Sequence, residues 1–275
     1  MKERGWLPKK NLAGQHVFLT GAGSGLGRLV AIRLAQYKCK LSLSDLNEAS
    51  VIETKNMIKA KIGDDKNVLV MKCDVAIRDE IAKCAKLAVR KFGDVDILIN
   101  NAGVVQGKLF HEMSEGLASK TMIVNAESHF WTCKEFIGPM MNRNRGHIVS
   151  IASIAGLAGT PGMTDYCASK HAAVGFQEAL RIEMKHLGYN GITCTTICPS
   201  YIDTGMFEGV KCSMLFPLLK QQVVADRIVQ AIRQNEEEVN IFWLMGTLAH
   251  LCKAVFPSSV VDFLGWALLG WDSVA

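Results

Sequence analysis

Proline is scarce in this chain, at 6 of 275 residues, and the 24 glycines follow no triplet period. Collagen-like and low-complexity architectures are therefore excluded. No two cysteines have C-x-x-C spacing. Cys39, Cys73, Cys84, Cys133, Cys167, Cys194, Cys198, Cys212 and Cys252 are scattered and odd in number. That argues against a disulfide frame or a zinc clip, and for free thiols in a reducing, cytoplasmic compartment. The seven histidines show no ligand spacing, so no metal is expected. Long uncharged apolar runs are also lacking. The most apolar stretch, Val239 to Trp271, is broken by Lys253 and Asp262 and falls short of the ~18 residues of a bilayer span. No apolar run follows the basic N-terminus, so no secretory signal is expected. Nor is there a strong excess of one charge: 31 basic against 26 acidic residues give +5. The positives Lys2, Arg4, Lys9 and Lys10 form an arm that reads as solvated, with an anionic membrane surface as the alternative contact, and nucleic acid is not an expected partner. With 49% hydrophobic and 21% charged residues, a disordered chain is excluded.

What the sequence has is alternation. Short continuous apolar runs at His16–Thr20, Lys40–Ser44, Val68–Cys73, Asp96–Asn100, Gly146–Ser150, Gly191–Cys198 and Val239–Leu244 read as strands buried on both faces. Helix-length patterns lie between them, among them Gly25–Tyr37, Asp79–Lys91, Ser119–Met141 and Tyr166–Leu187. Strand–helix alternation predicts an α/β fold with about seven parallel strands and helices on both faces, doubly wound by right-handed crossovers. A single domain over residues 14–245 is expected. The arm 1–13 precedes it, and an apolar extension at 246–275, rich in tryptophan, reads as a lid, an oligomer contact or an interfacial membrane segment.

The first strand runs into Thr20-Gly21-Ala22-Gly23-Ser24-Gly25-Leu26-Gly27 and then an amphipathic helix. Gly21 permits the turn out of the strand, Gly25 the approach of backbone to a pyrophosphate, and Gly27 close helix packing. The helix N-terminus then offers unpaired N–H groups to the phosphates. Strand before and helix after are the context that makes a glycine run a Rossmann-type dinucleotide cradle. Asp45 ends the second strand, where a carboxylate accepts from both ribose hydroxyls of NAD and repels the 2′-phosphate of NADP. Ser24 and Leu46 add no positive charge there, and Arg28 is the one nearby cation. NAD is the expected cofactor, with NADP disfavoured. The competing reading of Asp45 is a helix N-cap before Asn47–Glu48.

With Cys73-Asp74-Val75, Asn100-Asn101-Ala102-Gly103, Asn125, Ser153, Tyr166-Cys167-Ala168-Ser169-Lys170, Pro199 and Thr204, in that order and spacing, the chain resembles the classical short-chain dehydrogenase/reductase family from residue 14 to about 245. Tyr166 and Lys170 are four apart on a predicted helix and share a face. A free tyrosine has a pKa of about 10; a nearby ammonium and an oxidised nicotinamide favour the phenolate. Tyr166 then takes the proton of a substrate alcohol as hydride leaves, and returns it in reduction. Ser153 binds the same oxygen, and no Gly-x-Ser-x-Gly elbow marks it as a nucleophile.

The resemblance implies that Asn125 holds a water beside Lys170 and completes a proton relay. It also implies that Gly21, Ser24, Gly25, Leu26, Gly27, Asp45 and Leu46 line the cofactor. Asp74 and Val75 would then meet the adenine, Asn101, Ala102 and Gly103 the adenosine ribose, and Lys170 the nicotinamide ribose. Pro199 would shape the next loop and Thr204 reach the pyrophosphate or carboxamide. The family has glycine after that proline where this chain has Ser200, which requires a negative φ there.

The following segment, with Tyr201, Met206, Phe207, Met214, Leu215, Phe216 and Pro217, is where the family places its substrate loop, and its apolar content implies a lipophilic substrate. Asn125–Trp131 and Thr204–Gly209 are similar to the retinol and 17-beta-hydroxysteroid dehydrogenase subfamily. That implies a hydroxysteroid or retinoid substrate, a homodimer or homotetramer, and peripheral contact with endoplasmic reticulum or lipid droplets. A catalytically weak NAD-binding protein that docks on lipid or partners is the alternative; the full set Asn125, Ser153, Tyr166 and Lys170 argues against it.

Overall fold

The computed structural model describes residues 8–203, 218–241 and 251–269, with side chains to 263 in the last of these segments. β1 (His16–Thr20) leads to α1 (Gly25–Gln36), β2 (Lys40–Asp45) to α2 (Glu48–Ile62), and β3 (Val68–Lys72) to α3 (Arg78–Phe92). β4 (Ile97–Asn100) is followed by α4 (Glu115–Met122), a π-helical turn (Ile123–Glu127) and α5 (Ser128–Arg143). β5 (Gly146–Ile151) leads to α6 (Thr164–His186), β6 (Ile192–Cys198) to α7 (Gln221–Gln234), and β7 (Glu238–Asn240) ends the sheet. A further helix spans Ser258–Leu269. The strands form one sheet in the order β3-β2-β1-β4-β5-β6-β7, every neighbouring pair parallel.

Both faces of this sheet are covered, which is why its strands are buried along most of their length. Val17 and Leu19 belong to a core shared with Ala31 of α1, Val51 of α2 and Ile228 of α7. Phe18, between them, belongs to the opposite core, with Ile81 of α3, Phe136 of α5 and Met184 of α6. The sheet order reverses between β1 and β4, so the crevice beyond their carboxyl ends is where an open α/β sheet binds ligands.

Two details depart from the sequence reading. The single helix expected over Ser119–Met141 is three pieces, because a π-turn at Ile123–Glu127 interrupts the α-helical ladder. The N-terminal arm is also not simply solvated. Leu12 is buried, Lys10 N donates to Arg233 O at 2.7 Å, and Lys10 Nζ lies 2.7 Å from His147 Nδ1 inside the fold. Burial pulls the Lys10 ammonium down to about 8. Among the described residues no helix is long and apolar enough to cross a membrane. Thr204, the loop residues Met206 to Pro217, Trp243, Trp271, arm residues 1–7 and the distal part of the strand expected at Val239–Leu244 lie outside the described residues.

Candidate active site

The turn after β1 is built from glycines that have little alternative. Gly21 has φ +67° and Gly25 φ +49°, a left-handed region costly for other residues. A Cβ on Gly27 would fall 2.0 Å from the Gly21 carbonyl oxygen and 2.5 Å from Asn101 Nδ2, whereas one on Gly25 would meet nothing within 4 Å. Gly25 thus presents bare backbone to the cleft. Ser24 precedes α1 in extended conformation and its side chain caps nothing, so the first N–H groups of the helix stay available to an anion.

Asp45 closes the cradle from β2. Its Oδ2 accepts from Gly23 N at 2.8 Å and its Oδ1 from Asn47 N at 2.9 Å; the helix N-cap itself is Asn47, which accepts from Ser50 N at 3.1 Å. Arg28, the cation that stood in question, is folded under the turn. Its Nε donates to Gly23 O at 3.0 Å and Thr54 Oγ1 at 3.1 Å, and its Nη2 meets Glu53 Oε2 at 2.6 Å.

At the ends of β3 and β4, Asp74 Oδ1 accepts from Ala76 N at 2.9 Å. Asn101 fastens the glycine turn, donating through Nδ2 to Thr20 O and Gly21 O, both at 3.0 Å.

Ser153 follows β5, Tyr166 and Lys170 lie on α6, and all three are buried. The Ser153 hydroxyl is hydrogen-bonded to the Tyr166 hydroxyl and also accepts from Ala155 N at 3.1 Å, capping a short turn at Ile154–Gly156. A Cβ on Gly156 would lie 2.6 Å from Lys170 O, so this turn sits directly on α6. Lys170 Nζ donates to Ile151 O at 2.9 Å and stands 5.6 Å from the centroid of the Tyr166 ring.

The phenolate expected at Tyr166 calls on the Lys170 ammonium together with an oxidised nicotinamide; without the cofactor, burial works against it. Burial raises the Tyr166 hydroxyl to about 12 against the opposing Ser153 bond, and burial lowers Lys170 to about 8. The side chain of Asn125, expected beside a water near Lys170, is bonded within the protein. Its Oδ1 accepts from Val104 N at 2.8 Å, and its Nδ2 donates to Val104 O at 2.9 Å and Ser169 Oγ at 3.0 Å. Asn125 therefore locks the loop after β4 to α6 rather than lining the cleft.

The other expected residues within the described segments share one cleft of about 670 Å³. Gly21, Ser24, Gly25, Leu26, Gly27, Asp45 and Leu46 line one end with Asp74, Val75, Asn101, Ala102 and Gly103; Ser153, Tyr166, Lys170 and Pro199 line the other. Ser200 is not among the residues with positive φ, so the absent glycine costs the loop nothing there. The sequence reading missed Val104, Ile154, Ala155, Met163 and Ile202, which make the catalytic end largely apolar; nothing in their spacing marks them. Beyond the cleft, Lys253 Nζ donates to Leu157 O at 2.7 Å, tying the C-terminal segment to the turn after Ser153.

Comparison with known proteins agrees with this geometry. Residues 15–213 match the family model described as short chain dehydrogenase. The chain is 42% identical over 264 residues to epidermal retinol dehydrogenase 2 of Mus musculus, covering 94% of this chain and 84% of that one. It is 40% identical over 256 residues to short-chain dehydrogenase/reductase family 16C member 6 of Bos taurus, covering 92% and 78%. Among solved structures, a short chain dehydrogenase/reductase from Burkholderia phymatum in complex with NAD superposes with a TM-score of 0.80 at 27% identity, covering 89% of this chain and 95% of that one.

Proposed function

The chain belongs to the short-chain dehydrogenase family, and on that premise we propose that Tyr166, Ser153 and Lys170 handle the proton in its reaction and that its substrate is a lipophilic alcohol or ketone. The protein is an oxidoreductase that interconverts an alcohol and its carbonyl with a nicotinamide dinucleotide. The bare backbone at Gly25, the uncapped start of α1 and the anchored Asp45 fit such a cofactor. When bound, it accepts or gives the hydride.

The observation that carries this reading is the buried Ser153–Tyr166 hydrogen bond with the Lys170 ammonium over the Tyr166 ring. With its pKa raised to about 12, the Tyr166 hydroxyl holds a proton it can give to a carbonyl oxygen during reduction. In oxidation it must first become the phenolate, which the positive charge of Lys170 and of an oxidised nicotinamide both favour. With substrate bound, the single Ser153 proton turns from the Tyr166 oxygen to the substrate oxygen and holds it against Tyr166. Lys170 supplies positive charge from below and restores the proton.

Apolar residues around Tyr166 and the retinol dehydrogenases among the relatives support a retinoid or similar lipid as substrate. Asp45, with Arg28 held on Glu53, supports NAD over NADP. Exposed Phe130 on α5 and Ile182 on α6 support pairing of two copies, and exposed Leu251, Val255, Phe256 and Phe263 support contact with a lipid surface. The deciding experiment offers retinoid and hydroxysteroid alcohols and ketones to wild type and Tyr166→Phe, with both cofactors. Turnover by the wild type that vanishes in Tyr166→Phe, while cofactor binding persists, is the expected result. A normal rate in Tyr166→Phe would remove Tyr166 from its role.

A further inference from the structure

His129, the second residue of α5, is buried to 1% exposure. Its Nδ1 stands 3.3 Å from Ser150 Oγ, and the neighbours of that pair fix which atom donates. Gln177 donates from Nε2 to Ile148 O at 2.7 Å and Thr195 O at 3.3 Å. Its Oε1 therefore faces Ser150, whose hydroxyl donates to it at 2.9 Å. A hydroxyl has one proton to give, so toward His129 the Ser150 oxygen can only accept. The proton of the imidazole is on Nδ1, and Nε2 is a bare lone pair. That lone pair is buried and has no hydrogen-bond partner in the fold, an unfavourable state for an acceptor. Burial and the neighbouring Lys170 charge push His129 down to about 3, so it remains an acceptor throughout the neutral range.

The imidazole and the Lys170 ammonium are anchored on neighbouring points of the fold. His129 and Lys170 end on consecutive residues of β5, one on the Ser150 hydroxyl and the other on Ile151 O at 2.9 Å. Four residues before His129, Asn125 is bonded to Ser169 Oγ at 3.0 Å, beside Lys170. We propose that His129 is a positioning residue for the reaction: its Nε2 lone pair accepts, through one intervening water, a hydrogen bond originating at the Lys170 ammonium, keeping that group charged and directed at Tyr166. This rests on the reading of Tyr166 and Lys170 as the proton-handling pair. A gap beyond direct hydrogen-bond reach between a buried donor and a buried acceptor is where a bridging water belongs.

Among the described residues, Tyr166 on its own helix and Cys198 at the end of β6 also face Lys170; Cys167 and Tyr201 face Tyr166 in turn. Burial holds Cys198 up at about 12 and raises Cys167, so neither thiol sets a limb of a neutral pH profile.

The test is the pH dependence of kcat/KM for oxidation of all-trans-retinol with NAD. Without the lone pair the ammonium is less stable, and the phenolate it supports forms at higher pH. His129→Leu is expected to move the acid limb upward by about one pH unit, roughly a tenfold loss on that side. His129→Gln, whose side-chain oxygen can occupy the place of Nε2, is expected to keep the limb near its wild-type position. Loss by the same factor at every pH in both variants, or an unmoved limb in His129→Leu, overturns the proposal. The nitrogen chemical shifts of the His129 ring in the wild-type protein supply a reading that needs neither substrate nor variant. A neutral ring protonated on Nδ1 is expected between pH 6 and 9, and a ring protonated on Nε2 overturns the proposal. The two levels separate cleanly: an active Tyr166→Phe removes the catalytic pair and this role with it, whereas an inactive Tyr166→Phe with an unshifted His129→Leu removes the role of His129 alone.

Discussion

The Gly23 amide donates to Asp45 Oδ2 at 2.8 Å, and a methyl group on residue 23 would stand 2.7 Å from the Asp45 carboxyl carbon. The absence of a side chain at one position is what seats the carboxylate at the other. Gly23→Ala is therefore expected to displace Asp45, weaken NAD about tenfold, or ~1.4 kcal/mol, and narrow the gap between NAD and NADP. Fluorescence titration with each dinucleotide measures both effects. An unchanged ratio would show that Asp45 does not read the ribose.

Asn101 holds the turn that Gly21 opens. Truncation in Asn101→Ala leaves the Thr20 and Gly21 carbonyls without their shared donor, at about 1–3 kcal/mol. Thermal unfolding should fall accordingly, and KM for the cofactor should rise more than KM for the substrate. Equal changes in the two constants would argue that the turn is not shaped by Asn101.

Ser153 opposes burial at Tyr166 by lowering the proton affinity of its hydroxyl. Ser153→Ala is expected to reduce kcat by about 10²–10³, leave cofactor affinity intact, and shift the acid limb of alcohol oxidation upward. A reduced kcat with an unmoved limb would mean that Ser153 orients substrate without touching the ionisation of Tyr166.

Acid should unfold this protein through its buried imidazoles. Burial lowers the proton affinity of His16, His129 and His147 below the ordinary value of 6.5. Below that pH the unfolded chain takes up protons that the folded chain refuses, so stability falls as pH drops and is regained as pH rises. Each such histidine contributes a slope of up to ~1.4 kcal/mol per pH unit. Denaturant unfolding from pH 7 to 5 should show the loss, and His147→Gln should flatten it. The same slope in that variant would exclude His147 as a source.

Much of this architecture was legible in the sequence because its causes are local. Strands buried on both faces, such as Val17–Leu19, must be continuously apolar, and a glycine at φ +67° has few substitutes. The order of motifs also carried Ser153, Tyr166 and Lys170 to one end of one cleft. What remained hidden depends on packing between distant segments. No breaker residue announces the π-turn at Ile123–Glu127, and without it the engagement of Asn125 with Val104 could not be foreseen. Lys10 looked like one more surface lysine until the fold set it on His147, 137 residues away. Helical spacing reveals the cation beside Tyr166 but not the loss of water around both groups.

The Lys253 ammonium on Leu157 O joins the tail of the chain to the turn capped by Ser153. Lys253→Ala would free the Leu157 carbonyl from the tail while leaving the Ser153 cap on Ala155 N in place.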